Sequence, residues 1–196
     1  VNMQLSGDLT NSGTIASRKA MNLTADNLRN IGGTLSADQL SAVAQFDIEN
    51  IGGRVEALSS AQLIAGRDIR MVTTTQSSQA KLDNPLSHTS GNGLLPGLLG
   101  ELQQAPPSEF SQTGIDRVAT LYVKQPNGKL VLAAGHDITL TAAQVDSQGS
   151  AHMQAGNDIE LGTVTTERTT NLNFDRDNYN HSSSRKDVGS SITSSG

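Results

Sequence analysis

The chain has 196 residues, of which 35% are hydrophobic and 3% aromatic; it has no Cys and no Trp, and its formal net charge is −5. That balance supports a packed core and excludes disulfide frameworks, thiolate metal sites and Cys nucleophiles. An acidic chain this poor in aromatic residues offers neither a phosphate-binding footprint nor a base-stacking platform, so no nucleic-acid partner is expected.

The chain opens with Val1-Asn2-Met3-Gln4-Leu5, which has no initiator and no secretory signal pattern, so it reads as the interior of a longer protein. A repeat then begins. Its first motif is one or two small residues, an Asp or Asn, and an aliphatic residue. It occurs at Ser6-Gly7-Asp8-Leu9, Ala25-Asp26-Asn27-Leu28, Ala44-Gln45-Phe46-Asp47-Ile48 and Ala65-Gly66-Arg67-Asp68-Ile69. It returns at Ala134-Gly135-His136-Asp137-Ile138 and Ala155-Gly156-Asn157-Asp158-Ile159. The acid or amide stands at 8, 27, 47, 68, 137 and 158, in steps of 19, 20, 21, 69 and 21. A second motif runs in phase: Asn11-Ser12-Gly13, Asn30-Ile31-Gly32-Gly33 and Asn50-Ile51-Gly52-Gly53. Gly13, Gly33 and Gly53 are 20 apart.

Residues 1–72 therefore form one repeat block, and 129–163 a second. Each repeat holds short segments such as Met21-Asn22-Leu23-Thr24 or Ile138-Thr139-Leu140-Thr141, alternating apolar and polar. Alternation of period two is the mark of half-buried strands, and no repeat carries a helical stripe. One such repeat cannot bury its own apolar face; stacking successive repeats can. The fold expected is all-β: a β-solenoid of about 20 residues per coil, each coil about 4.8 Å above the last.

The step of 69 marks an excursion over 73–128. It starts with the polar run Thr73-Thr74-Thr75-Gln76-Ser77-Ser78. It passes through Leu94-Leu95-Pro96-Gly97-Leu98-Leu99-Gly100 and Pro106-Pro107, which read as loop. Val118–Val123 and Lys129–Leu132 flank Pro126-Asn127-Gly128, a hairpin pattern. Residues 164–196 form a second Thr/Ser-rich excursion, with a frayed tail expected from about Asp175.

The A-G-x-D-I steps, the N-x-G-G phrases and the Ser/Thr-rich excursions resemble the haemagglutinin repeats of the filamentous haemagglutinin family, over Leu5 to about Val188. These are large exoproteins of Gram-negative bacteria, exported by two-partner secretion. They include adhesins and effectors of contact-dependent growth inhibition. The resemblance implies a right-handed parallel β-helix, a secreted or cell-surface location, and a role in adhesion or toxin presentation. It implies an outer-membrane transporter as partner during export, and a receptor on a host cell or a neighbouring bacterium.

The candidate residues carry mainly structural readings. Asp8, Asn27, Asp47, Asp68, Asp137 and Asp158 recur once per coil, whereas calcium-binding β-rolls use a nine-residue phrase with neighbouring carboxylates. Turn-capping to backbone N–H groups is the expected role. Asn11, Asn30 and Asn50 are expected to stack as an amide ladder. His136 beside Asp137 invites a catalytic reading, but its equivalents are Arg67 and Asn157, and no nucleophile motif accompanies it. His88, His152 and His181 lack metal-ligand spacing. Arg168, Arg176, Arg185 and Lys186 lie among Glu167, Asp175, Asp177 and Asp187, which reads as a solvated face. No catalytic residue, cofactor or metal is expected.

The function expected is a non-catalytic stalk or adhesive scaffold, with recognition on the excursions at 73–128 or 164–196, because loops on a rigid scaffold carry recognition. The alternative is a carbohydrate-active β-helix enzyme acting on acidic polysaccharide, which needs converging carboxylates and cations. End-to-end self-association is expected from the open edges of an excised solenoid.

Overall fold

A computed structural model describes residues 1–82, 107–173 and 178–196. Two compact units divide the chain: Val1–Thr75, Ile115–Val164 and Asp187–Gly196 form the first, Gln76–Gly114 and Thr165–Lys186 the second. The fold is all-β, without a helix among the described residues. The first unit is a parallel β-solenoid of about 21 residues per turn.

Each turn of the solenoid has three sides. In the first turn these are β1 (Asn2–Gln4), β2 (Leu9–Asn11) and β3 (Thr14–Ala16). The second turn repeats them as β4 (Ala20–Ala25), β5 (Leu28–Ile31) and the start of β6 (Thr34–Ala44). The rest of β6, β7 (Ile48–Ile51) and the start of β8 (Arg54–Ala65) make the third. The rest of β8 and β9 (Ile69–Val72) open the fourth. The chain then leaves through β10 (Thr74–Leu82) and β11 (Ser108–Arg117), and β12 (Thr120–Val123) closes that turn. The fifth turn is β13 (Lys129–Ala134), β14 (Ile138–Thr141) and β15 (Gln144–Ser147). The last has β16 (Ser150–Ala155) and the start of β17 (Ile159–Asn173). The chain leaves again along β17 and β18 (Tyr179–Gly189), and β19 (Ser191–Ser194) closes the turn.

Stacking turns the sequence period into columns. Leu28, Ile48, Ile69 and Ile138 are register partners in adjacent turns, and all are buried. Ile69 pairs with Ile138 directly, so the step of 69 is one turn plus a detour. Two neighbouring columns mix large and small residues. Met21, Leu40, Ala61 and Leu130 stand beside Leu23, Ala42, Leu63 and Leu132. A small residue in one column often sits beside a larger one in the other, which lets the layers interdigitate at core density.

Three expectations need correction. Residues 118–132 are not a hairpin. Thr120–Val123 pairs in parallel with Arg54–Ala57, and Lys129–Ala134 with Ser60–Ala65, as consecutive sides of a coil. A Pro-Asn-Gly turn serves a coil corner as well as a hairpin. The coil wins because Leu121, Val123, Leu130 and Leu132 each extend a buried column that a hairpin would abandon. The detour therefore ends at Arg117 rather than at residue 128. Nor is the tail frayed where it is described. β18 pairs with β17, and Ser191–Ser194 rejoins the solenoid in parallel with Gln144–Ser147. His88, Leu94–Gly100, Pro106, Asp175, Arg176 and Asp177 lie outside the described residues.

The second unit is a sheet with β11 between β10 and β17, and β18 beside β17. β11 and β17 are antiparallel, with Glu109 opposite Asn171 and Thr113 opposite Glu167. Ser77 and Thr113 hydroxyls meet at 2.8 Å, and Lys81 Nζ lies 3.4 Å from Glu109 Oε1. Both excursions thus contribute strands to one sheet.

Candidate functional site

The recurrent acids lie at one corner of the solenoid, and they bond upward between turns. The N–H of Asp47 donates to Asn27 Oδ1 at 3.2 Å, and that of Asp68 to Asp47 Oδ1 at 3.3 Å. The N–H of Asp137 donates to Asp68 Oδ1 at 3.1 Å, and that of Asp158 to Asp137 Oδ1 at 3.0 Å. At the bottom, Asn27 Nδ2 donates to Asp8 Oδ1 at 2.7 Å. Asn27, Asp47, Asp68 and Asp137 therefore each cap the backbone of the following turn, a role for which an acid and an amide oxygen serve alike, while Asp8 meets the Asn27 side chain.

For Asp47 and Asp137 the electrostatics are set chiefly by the residue that precedes the Asp of the next turn. Arg67 grips Asp47 with both ends of its guanidinium, Nε reaching Oδ1 at 2.8 Å and Nη2 bonding Oδ2. That hydrogen bond holds the Asp47 carboxyl below the usual carboxylate range. Asp137 is also lowered, first by the Asn157 amide at 3.1 Å and then by the Asp158 N–H and by His136. His136 Nδ1 lies 2.9 Å from Asp137 Oδ2 and 3.4 Å from Asp68 Oδ1. The ligating atoms of Asp68, His136 and Asp137 fall within 4.8 Å of one another.

A second ladder is internal. Asn11 Nδ2 donates to Asn30 Oδ1 at 2.8 Å, and Asn30 Nδ2 to Asn50 Oδ1 at 2.9 Å. Asn50 Nδ2 closes the series on the Gly53 carbonyl at 3.0 Å. All three amides are buried, so each unmade bond there carries a desolvation cost. In the next turns the same column passes to Met71 and Leu140. Gly33 and Gly53 lie against these amides, and a Cβ on either would overlap an Asn side chain. Gly13 has open space instead. The positive backbone angles fall one residue earlier, at Gly32 (φ 64°) and Gly52 (φ 56°), and again at Ala142 (φ 49°).

Sequence reading missed the two seams where the chain leaves the solenoid. Thr73 Oγ1 accepts the Ala119 N–H at 3.0 Å and donates to the Ala142 carbonyl at 2.6 Å. Ser190 Oγ accepts the Ala143 N–H at 3.2 Å and donates to the Leu140 carbonyl at 2.7 Å. One hydroxyl thus completes the ladder bonding at each gap. In the sequence these residues are indistinguishable from their Thr- and Ser-rich surroundings.

On the flank, Glu56 is clasped by Lys124 and Arg54, which hold its carboxyl below the ordinary range. The Arg54 guanidinium also covers the Tyr122 ring at 5.3 Å. Asp47 and Glu56 are therefore each engaged by fixed cationic partners. In the second unit, a pocket across three strands is lined by polar residues such as Lys81, Glu109 and Thr169 together with Ala80 and Phe110.

His152 and His181 sit apart from the acid corner. His181 Nε2 lies 3.2 Å from Asn173 Oδ1. Of Arg168, Arg185 and Lys186, all lie on the strands β17 and β18 of the excursion sheet. No family model, no curated protein and no solved structure matches this chain.

Proposed function

We propose that this chain is a non-catalytic repeat segment of a large secreted bacterial surface exoprotein. It acts as a stalk and scaffold for adhesion to cells or for contact-dependent toxin presentation. In this reading an outer-membrane transporter exports the parent protein from a Gram-negative cell. A receptor on a host cell or neighbouring bacterium meets the excursions. The observation that carries the reading is the pairing of β11 with β17: two excursions separated by a whole solenoid turn combine into one polar sheet. A rigid repeat that twice interrupts itself to build a single second unit has the plan of a scaffold bearing a recognition element. The motif resemblance supplies the secretion route and the surface setting.

Binding of the labelled chain to intact bacterial and epithelial cells tests it, beside a version in which 76–114 and 165–186 are replaced by short linkers. Saturable binding that disappears with the excursions is the result expected. Undiminished binding by the shortened chain would place recognition elsewhere and overturn the reading.

A further inference from the structure

Among the described acid rungs, Asp47 has a whole guanidinium to itself, from Arg67. Asp68 and Asp137 instead share one imidazole nitrogen, at 3.4 and 2.9 Å. Arg67 reaches Asp68 only at 3.7 Å, through the nitrogen already donated to Asp47. Asn157 donates to Asp137 Oδ1 and so leaves that excess of negative charge in place. One nitrogen and two carboxylate oxygens from two adjacent turns therefore lie within 4.8 Å of one another. The side chains are open to solvent on one side, His136 at 60% exposure against 28% and 32% for the two acids.

We propose that Asp68, His136 and Asp137 form a surface site for a divalent transition-metal ion of the zinc class. The donor set decides the class. An imidazole nitrogen favours zinc-like ions over calcium or magnesium, which take oxygen ligands. Spacing agrees: two ligands each roughly 2.0–2.1 Å from a tetrahedral zinc stand about 3.3 Å apart, close to the 2.9 and 3.4 Å separations at His136 Nδ1. Solvent completes the coordination. The ion would tie the fourth turn to the fifth across the detour that separates residues 68 and 137 in sequence. Three residues spread over 69 positions give no spacing motif, and this is why the sequence does not display the site.

The repeat itself provides safe variants. His136→Asn copies the residue at 157, and Asp68→Asn or Asp137→Asn copies the amide at 27. Titration calorimetry of zinc sulfate into the 196-residue chain is expected to give one ion per chain. Affinity is expected to fall at least tenfold in each of the three variants, while magnesium gives no heat. Zinc is also expected to raise the thermal midpoint of the parent chain and not that of His136→Asn. Absence of zinc binding by the parent chain, or equal binding by His136→Asn, would overturn the site.

Discussion

The solenoid and the excursion sheet are both built of strands, yet they are held together differently. Every buried hydrophobic residue among the described ones belongs to the solenoid unit, in columns such as Leu28–Ile48–Ile69–Ile138. β18, in contrast, is exposed at ten of eleven positions, and β10 at eight of nine. The excursion sheet rests on backbone pairing and on polar contacts such as Ser77–Thr113 and Lys81–Glu109. Polar pairs of that kind contribute tenths of a kilocalorie to about 1 kcal/mol each. Stability should therefore reside in the columns, leaving the sheet free to vary in sequence without unfolding its support.

The sharpest way to break that contrast is to truncate one residue from each unit. Leu132→Ala empties part of a column in which Leu132 lies on Leu63 and Met153. It should cost about 2–5 kcal/mol, read as a large fall in thermal midpoint. Thr113→Ala removes one exposed hydroxyl pair and should cost less than about 0.5 kcal/mol. Equal losses would contradict the division.

The buried amides come next in size. Asn30→Ala leaves the Asn11 Nδ2 donor and the Asn50 Oδ1 acceptor without their ladder partner, at a cost of about 1–3 kcal/mol. Chemical denaturation of the variant measures it; a neutral outcome would show that the ladder sets register without stabilising the fold.

Acid should weaken the solenoid through Asp47, Asp137 and Glu56. Their folded values lie below the ordinary 3.8 and 4.5, so each binds its proton more readily when unfolded. Their stabilisation is whole above those ordinary values and is lost as pH falls through the lowered ones. A thermal midpoint that declines below about pH 4.5, less steeply in Arg67→Ala, is the expected outcome. A midpoint flat across that range would remove these groups from the account.

The smallest effect expected is a gain. Ala142 sits at φ 49°, where Gly32 and Gly52 stand in earlier turns. Ala142→Gly relieves left-handed strain at the expense of chain entropy and a buried methyl. A net stabilisation of about 0.5 kcal/mol, seen as a slightly higher midpoint, is predicted; a lower midpoint would show that the methyl outweighs the strain.

What was legible in the sequence follows the same contrast. Where a residue is buried in a column, the period alone aligns it: Asn11, Asn30 and Asn50 stack because their spacing equals one turn, as do Ile48 and Ile69. The alternation that marks these strands exists because one face of each is dry. The excursions lack that alternation. β11 is rich in Ser, Gln and Thr and β17 in Thr, without a regular dry face, so nothing local sets their partner or register. Their pairing arises from where the solenoid releases and recovers the chain. The misread hairpin at 118–132 has a related cause, since a tight turn between two strands is the same in sequence whether the strands pair with each other or with a third.

Amide hydrogen exchange, resolved residue by residue, tests the central division most directly. The account predicts that amides of β6, β8 and β13 exchange only by global unfolding. Those of β10 and β18 should exchange through a smaller opening that leaves the solenoid protected. Protection of β10 and β18 equal to that of β8 would mean that the excursion sheet shares the solenoid's stability, and would contradict it.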